Sequence, residues 1–210
     1  MGPRWRAWLS AGGYPFPCDP DLAPGEVPAI WAPSLATTTV VLDAAPDGFE
    51  DARPLDIDAL EPILADRLLA DGRHLVLADD QGRHRLWLRD TTPGRRLAIT
   101  IPDDDHYELR SAAASRLRRR LRGLPAGRPP LGCRPTPFQR RRLILLLNLA
   151  EAALAGAGPR DMAIHLTYPR MPPLSAAAWK DSPERQRTRR LAKEATALVQ
   201  GGYRALLAGR

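Results

Sequence analysis

Ser182-Pro183-Glu184-Arg185-Gln186-Arg187-Thr188-Arg189-Arg190-Leu191-Ala192-Lys193-Glu194-Ala195-Thr196-Ala197-Leu198-Val199-Gln200 reads as one helix with two chemically different sides. Either Asp181 or Ser182 is placed to cap it, and Pro183 and Glu184 suit its first turn in both cases. Leu191, Ala195 and Leu198 form an inward stripe, with Thr188 and Val199 beside it. Arg185, Arg189 and Lys193 recur every four residues on the outward side, flanked by Gln186 and Arg190. Arginine and glutamine read guanine and adenine edges bidentately in the major groove. Helix-turn-helix proteins present the first turns of their second helix to the bases. Arg185, Gln186, Arg189 and Lys193 are therefore the candidate base-reading residues. A charged helix face is ordinarily only a solvated one. Here, however, the stripe has no interleaved glutamate, and it ends a long helical region rich in further arginine.

Working backwards, Pro159 to about Leu166 reads as a short helix that would brace the reader across the DNA backbone, with Met162, Ala163 and Leu166 inward. Tyr168-Pro169-Arg170-Met171-Pro172-Pro173 breaks it, and Ala176-Ala177-Ala178-Trp179 reads as a turn. Thr136-Pro137-Phe138-Gln139 is a strong helix start, with a threonine cap, proline in the first turn and a glutamine completing a capping box. That helix runs through Leu143, Leu146, Leu147, Ala150 and Leu154 to a stop at Gly156 and Gly158; its apolar face is broad, as for the central helix of a bundle. Gly123 to Pro135 is a connector, and Tyr107 to Arg122 is a helix with Leu109, Ala113, Leu117 and Leu121 on one stripe. Arg140, Arg141, Arg142, Lys180, Arg187 and Arg190, together with Arg118-Arg119-Arg120, are candidates for phosphate contacts, which position a duplex without specifying sequence. Trp179, Leu191 and Tyr203 are expected in the core of this region. A short helix, Tyr203 to Leu207, follows Gly201-Gly202.

Charge divides the chain at the same place. The net charge of +7 combines 10 Lys and Arg against 18 Asp and Glu in residues 1–105 with 21 against 6 in residues 106–210. A folded domain with clustered arginine is the electrostatic footprint of a nucleic-acid binder. The N-terminal half looks different. Its first 35 residues are rich in Pro and Gly, anchored by Trp5, Trp8, Tyr14, Phe16 and Trp31. Thr37 to Leu42 reads as a strand, and Asp56 to Leu69 as a helix with Leu60, Ile63, Leu64 and Leu68 at helical spacing, capped by Asp56 or Asp58. His74–Ala78, His84–Arg89 and Arg96–Ile101 then read as a meander of hairpins. The expected fold is α+β: a small acidic antiparallel-sheet unit over 1–105, placed for dimerisation or regulation, followed by a basic all-α helix-turn-helix domain over 106–210.

Several motifs in this order carry a resemblance: Thr136-Pro137-Phe138-Gln139-Arg140-Arg141-Arg142-Leu143, Gly156-Ala157-Gly158, Trp179-Lys180-Asp181-Ser182, Arg187-Thr188-Arg189-Arg190-Leu191 and Gly201-Gly202-Tyr203-Arg204-Ala205-Leu206-Leu207. They resemble a bacterial family described as a type VI secretion transcription-factor DNA-binding domain, whose members resemble activators and antiactivators of integrative conjugative elements. The resemblance covers about residues 107–210, and Phe16-Pro17, Trp31 and Val40-Val41-Leu42 more loosely resemble the region that precedes the domain. It implies a helix-turn-helix with Trp179 in its core and the Arg187-Thr188-Arg189 helix as reader. The chain departs from the family at Pro159-Arg160-Asp161-Met162-Ala163-Ile164-His165, where members usually carry an aromatic, a charged pair and a small apolar run.

Other chemistries lack their motifs. No nucleophile elbow, phosphate loop, dinucleotide fingerprint or His-Glu-x-x-His is present, so no enzyme is expected. Cys18 and Cys133 are far apart without partner ligands, and read as reduced thiols. His74 and His84 are placed to face each other across a hairpin but lack further ligands, so neither a metal nor another cofactor is expected. Asp103-Asp104-Asp105 reads as a solvated boundary, lacking the spacing of a calcium loop. No apolar run reaches the roughly 18 residues of a membrane span, and no signal core opens the chain, so a cytoplasmic, nucleoid-associated protein is expected. The expected function is a sequence-specific transcriptional regulator of double-stranded DNA, acting as a homodimer or with a partner regulator; the alternative is an antiactivator-type protein that binds another regulator instead of DNA.

Overall fold

The computed structural model describes residues 28–209. Trp5, Trp8, Tyr14, Phe16, Pro17 and Cys18 lie outside the described residues. The chain divides into two compact units: the described residues up to Arg134 together with Leu207–Gly209, and Pro135–Leu206.

The first unit is built on five strands, β1 (Thr39–Ala44), β2 (Ile63–Leu69), β3 (Gly72–Leu77), β4 (His84–Leu88) and β5 (Leu97–Thr100). Their order in the sheet is β2-β3-β4-β1-β5. The β3–β4 hairpin is as expected from sequence, but the meander is not. β1 inserts between β4 and β5, pairing parallel to β4 and antiparallel to β5, so the sheet is mixed and not purely antiparallel. The helix expected over Asp56–Leu69 is also absent. Leu60 ends a single helical turn, Asp58–Leu60, and Ile63–Leu69 is the edge strand β2. Two causes are visible. Pro62 lacks the N–H that a helix interior requires. A bulge between Ile63 and Ala65 then puts Ile63 on one sheet face and Leu64 and Ala65 on the other, so apolar neighbours mimic a helical spacing. At the start of β3, Gly72 has φ +130°, and a Cβ there would stand 2.2 Å from the Leu88 carbonyl oxygen, so only glycine lets the β2–β3 turn pass β4.

The sheet alternates strictly enough to build two faces. Val40, Leu42, Leu75, Leu77, Leu86 and Leu88 pack against α1 (Tyr107–Leu121) through Ala113, Ala114 and Leu117. The other face carries Ile30, Ala65 and Val76. On it His74 stacks on Trp87 with centroids 5.9 Å apart. The Trp87 indole N–H donates to the Asp71 carbonyl at 2.9 Å, and the Arg89 guanidinium lies 5.7 Å over the Trp87 ring. His74 is paired in register with Trp87, and His84 with Leu77, so the two histidines occupy opposite faces and do not face one another.

The α1 helix carries three arginines into the interface with the sheet. Arg110 donates twice to Asp104 and once to the Pro33 carbonyl. Arg116 donates to the Gly127 carbonyl and lies 3.9 Å from Asp79. Arg120 reaches the carbonyls of Ala78, Leu60 and Glu61. Asp79 also stands 3.4 Å from the His84 ring. Asp104 is thus a structural anchor of α1, not merely part of a solvated acidic boundary.

These groups set a pH response. Burial pushes His84 below its ordinary value of 6.5; Arg116 adds to that, and Asp79 opposes it only in part. Burial pushes the Asp79 carboxyl up, but the Gln81 N–H, His84 and Arg116 together outweigh it and hold it below 3.8. Folding therefore favours neutral His84, whose contribution to stability is complete above pH 6.5 and is lost as pH falls through its lowered folded value. The Asp79 contribution is complete above pH 3.8 and lost below it. The urea midpoint of the chain is expected to decline as pH falls below 6.5, and His84→Gln to flatten that decline. An identical pH profile in the wild type and the variant would refute this assignment.

Candidate nucleic-acid interface

The second unit is helical. α2 (Pro137–Leu154) is followed by α3 (Pro159–Met162), whose chain widens into one looser turn over Ala163–Thr167. α4 (Ala176–Lys180) and α5 (Pro183–Ala197) come next. A second loose turn, Leu198–Gly202, leads into α6 (Tyr203–Leu207). The stretch Ala176–Trp179 is a helix and not the turn its sequence implies, because Ser175 caps it by accepting the Ala178 N–H at 3.2 Å. The capping box of α2 is complete: Thr136 Oγ1 accepts the Gln139 N–H, and Gln139 Oε1 accepts the Thr136 N–H at 2.8 Å.

Leu146, Leu149 and Ala150 of α2, Met162 of α3 and Leu191 and Ala195 of α5 share one core, with Leu166 and Leu198 packed at its edge. This core fixes the rotation of α5. Thr188, Leu191 and Ala195 are buried, so at 100° per residue Gln186, Arg189, Arg190 and Lys193 must point away, and all four are exposed. Thr188 thus belongs to the core although it lies between the arginines at 187 and 189. Arg185 sits at the margin, half-buried, with one guanidinium N–H donated to the Lys180 carbonyl at 2.7 Å.

The approach to α5 is held by one side chain. Ser182 Oγ donates to the Trp179 carbonyl at 3.1 Å and accepts the Arg185 N–H at 3.1 Å. Ser182, and not Asp181, is the cap. Trp179 and Leu191 are buried, while Tyr203 is half-buried at the start of α6.

The candidate phosphate contacts separate into distinct environments. Arg140, Arg141, Lys180, Arg187 and Arg190 are exposed in the second unit. Arg142 is held by Glu194 of α5, with one nitrogen 2.8 Å from both carboxylate oxygens. Arg118, Arg119 and Arg120 lie on α1 in the first unit. There Arg118 is exposed, Arg119 caps the Pro125 carbonyl at 2.7 Å, and Arg120 is committed to the carbonyls beneath it. The buried roles of Arg110 and Arg116 are not among the sequence expectations; Arg110 has a signal in its spacing from Leu117, seven along the same helix face, and Arg116 has none. Among the described residues no cluster of three or more His, Cys, Asp or Glu stands together as a metal site, and no helix is long and apolar enough to cross a membrane.

The helical region is thus the part of the chain that presents an unbroken cationic helix face, and its sequence places it among DNA-binding transcription factors. The chain belongs to the family described as "T6SS, Transcription factor, DNA binding domain", which matches residues 100–208. Residues 38–99, which carry the sheet, match a domain of unknown function (DUF7012). No curated protein and no solved structure matches the chain.

Two substitutions probe this scaffold. Ser182→Ala removes both the cap and the tie to Trp179, and is expected to lower unfolding stability by about 1–2 kcal/mol. Thr188 is fully buried, and its hydroxyl finds no hydrogen-bond partner among the described residues. Thr188→Val keeps the shape and removes that buried hydroxyl, and is expected to raise stability by up to about 1 kcal/mol. Urea unfolding of both variants checks the pair, and a stabilising Ser182→Ala or a strongly destabilising Thr188→Val would contradict the packing described.

Proposed function

We propose that this protein is a sequence-specific transcriptional regulator that reads double-stranded DNA through the outward face of α5. The observation that carries the reading is the separation of charge on that helix. Gln186, Arg189, Arg190 and Lys193 share one exposed face, while Glu194, its nearest acidic neighbour, is held by Arg142 towards α2. The face is therefore cationic and rich in bidentate hydrogen-bond donors, which is what base edges in the major groove demand.

In this reading the unit is a helix-turn-helix. α3 and the loose turn after it pack across α5 through Met162 and Leu166 as the bracing segment, and α4 with its Ser182 turn delivers the N-terminal turns of α5 to the groove. Gln186 and Arg189 are the principal base readers, and Lys193 lies one turn further along. Arg185 contributes from the margin with the guanidinium N–H groups left over from its bond to Lys180. Arg141, Lys180, Arg187 and Arg190 are the phosphate contacts, and their number makes affinity fall steeply with salt. The protein acts in the cytoplasm on chromosomal DNA and is not an enzyme.

Selection of bound duplexes from a random library at about 150 mM salt tests this, since non-specific binding is weak there. The wild type is expected to enrich a discrete motif. Arg189→Ala should relax preference at single positions and cost about 1–3 kcal/mol on the selected site. Arg141→Ala should weaken all sequences alike and reduce the salt slope by about one. No enriched motif from the folded chain would overturn the sequence-specific reading and favour an interaction protein of antiactivator type.

A further inference from the structure

α2 has two apolar sides. Leu146, Leu149 and Ala150 are buried against α3 and α5. On the other side Ile144, Leu147 and Leu154 are 53%, 49% and 72% exposed. They fall in line with Arg140 and Glu151, which are exposed as well. Positions 140, 144, 147, 151 and 154 follow alternating steps of four and three, the spacing of a helix–helix packing seam. The two charges sit at the wrong ends of their own helix. Arginine lies near the N-terminus, where the helix dipole is positive, and glutamate lies in the last turn, where it is negative. Neither side chain has an ion-pair or hydrogen-bond partner among the described residues.

We propose that this stripe is a self-complementary interface, in which α2 packs antiparallel against α2 of a second copy of this chain. A two-fold axis passing between the levels of Leu145 and Leu146 sets the register. One copy's Arg140 then faces the other copy's Glu151, Ile144 faces Leu147, and Pro137 faces Leu154, each twice over. The centre is a layer of two isoleucines and two leucines, closed at both ends by an ion pair. The antiparallel arrangement also brings each misplaced charge beside the helix terminus that suits it. A parallel pairing is excluded by the same residues, because Arg140 would meet Arg140 and Glu151 would meet Glu151. The contact is isologous, so it closes at a dimer. It lies on the side of α2 turned away from α5, and leaves the outward face of α5 open in both copies. Arg140, a candidate phosphate contact by sequence, is here an interface residue instead.

Sedimentation equilibrium of the full chain without DNA, over a concentration series, tests the proposal. The wild type is expected to associate to a dimer. Leu147→Asp and Glu151→Arg should each weaken association by roughly tenfold or more, with far-UV circular dichroism unchanged because both positions are on the surface. The swap Arg140→Glu/Glu151→Arg should restore dimers, and so should an equimolar mixture of Arg140→Glu with Glu151→Arg. A wild type that stays monomeric throughout would overturn the proposal. So would association indifferent to Leu147→Asp, or a charge swap that fails to restore what Glu151→Arg removes.

Discussion

A guanidinium taken out of water must find oxygen, because it has five donors and no way to shed its charge. In this protein that constraint organises the first unit. The small residues Ala113 and Ala114 let α1 approach the sheet closely, and Leu117 fills the contact. The same approach carries Arg110, Arg116 and Arg120 off the surface. Their acceptors come from five separate places: Pro33 before β1, Leu60 and Glu61 before β2, Ala78 and Asp79 after β3, Asp104 before α1, and Gly127 after α1. Irregular segments from separate parts of the unit are thereby tied to one helix. Asp79 is the electrostatic centre of the arrangement, with two arginines and a buried histidine around it. An ion cluster of this kind gains little over a well-packed apolar core, but losing one member leaves the others uncompensated.

The second unit uses arginine in the opposite way. Its core is supplied by leucine, alanine and methionine, so its cations are left for the surface. The rotation of α5 about its own axis decides which of them share a face, and that rotation is fixed by Thr188, Leu191 and Ala195. The Arg142–Glu194 pair contributes little energy at an exposed site. Its effect is to commit Glu194 of α5 towards α2, so that the outward side, Gln186, Arg189, Arg190 and Lys193, carries no carboxylate. The charge excess of the C-terminal half therefore counts two populations: arginines consumed by structure on α1, and arginines left exposed on α5.

Much of this was legible in local patterns. The capping box at Thr136 and Gln139, the proline in the first turn of α5, and the β3–β4 hairpin are specified by residues within a few positions of one another, and the chain forms them as the local pattern implies; the choice of Ser182 over Asp181 as the α5 cap is settled only by the structure. β2 carries two local signals that conflict. The apolar spacing of Leu60, Ile63, Leu64 and Leu68 resembles a helix, yet Pro62 within it forbids one, and a bulge produces the same spacing in a strand. α4 rests on the Ser175 cap, a one-residue signal in a stretch whose prolines and short alanine run otherwise spell a turn. The outward position of Gln186, Arg189, Arg190 and Lys193 followed from helical period alone. The tie between Arg185 and Lys180 did not, since a side chain's choice of backbone acceptor depends on the turn that precedes it.

The sequence by itself determined many of the elements and their chemical sides: a β-rich acidic stretch, a helical basic one, and a last long helix whose apolar and cationic residues separate by period. These are short-range properties, set by dihedral preference, capping and the alternation of apolar residues. Tertiary structure alone decided that β1 lies between β4 and β5, that His74 and His84 are on opposite faces, and which arginines are buried. Each depends on pairing between segments tens of residues apart. Strand edges and guanidinium groups accept many partners of nearly equal chemistry, so the choice among them is made by the closing of the whole core and not by any one local pattern.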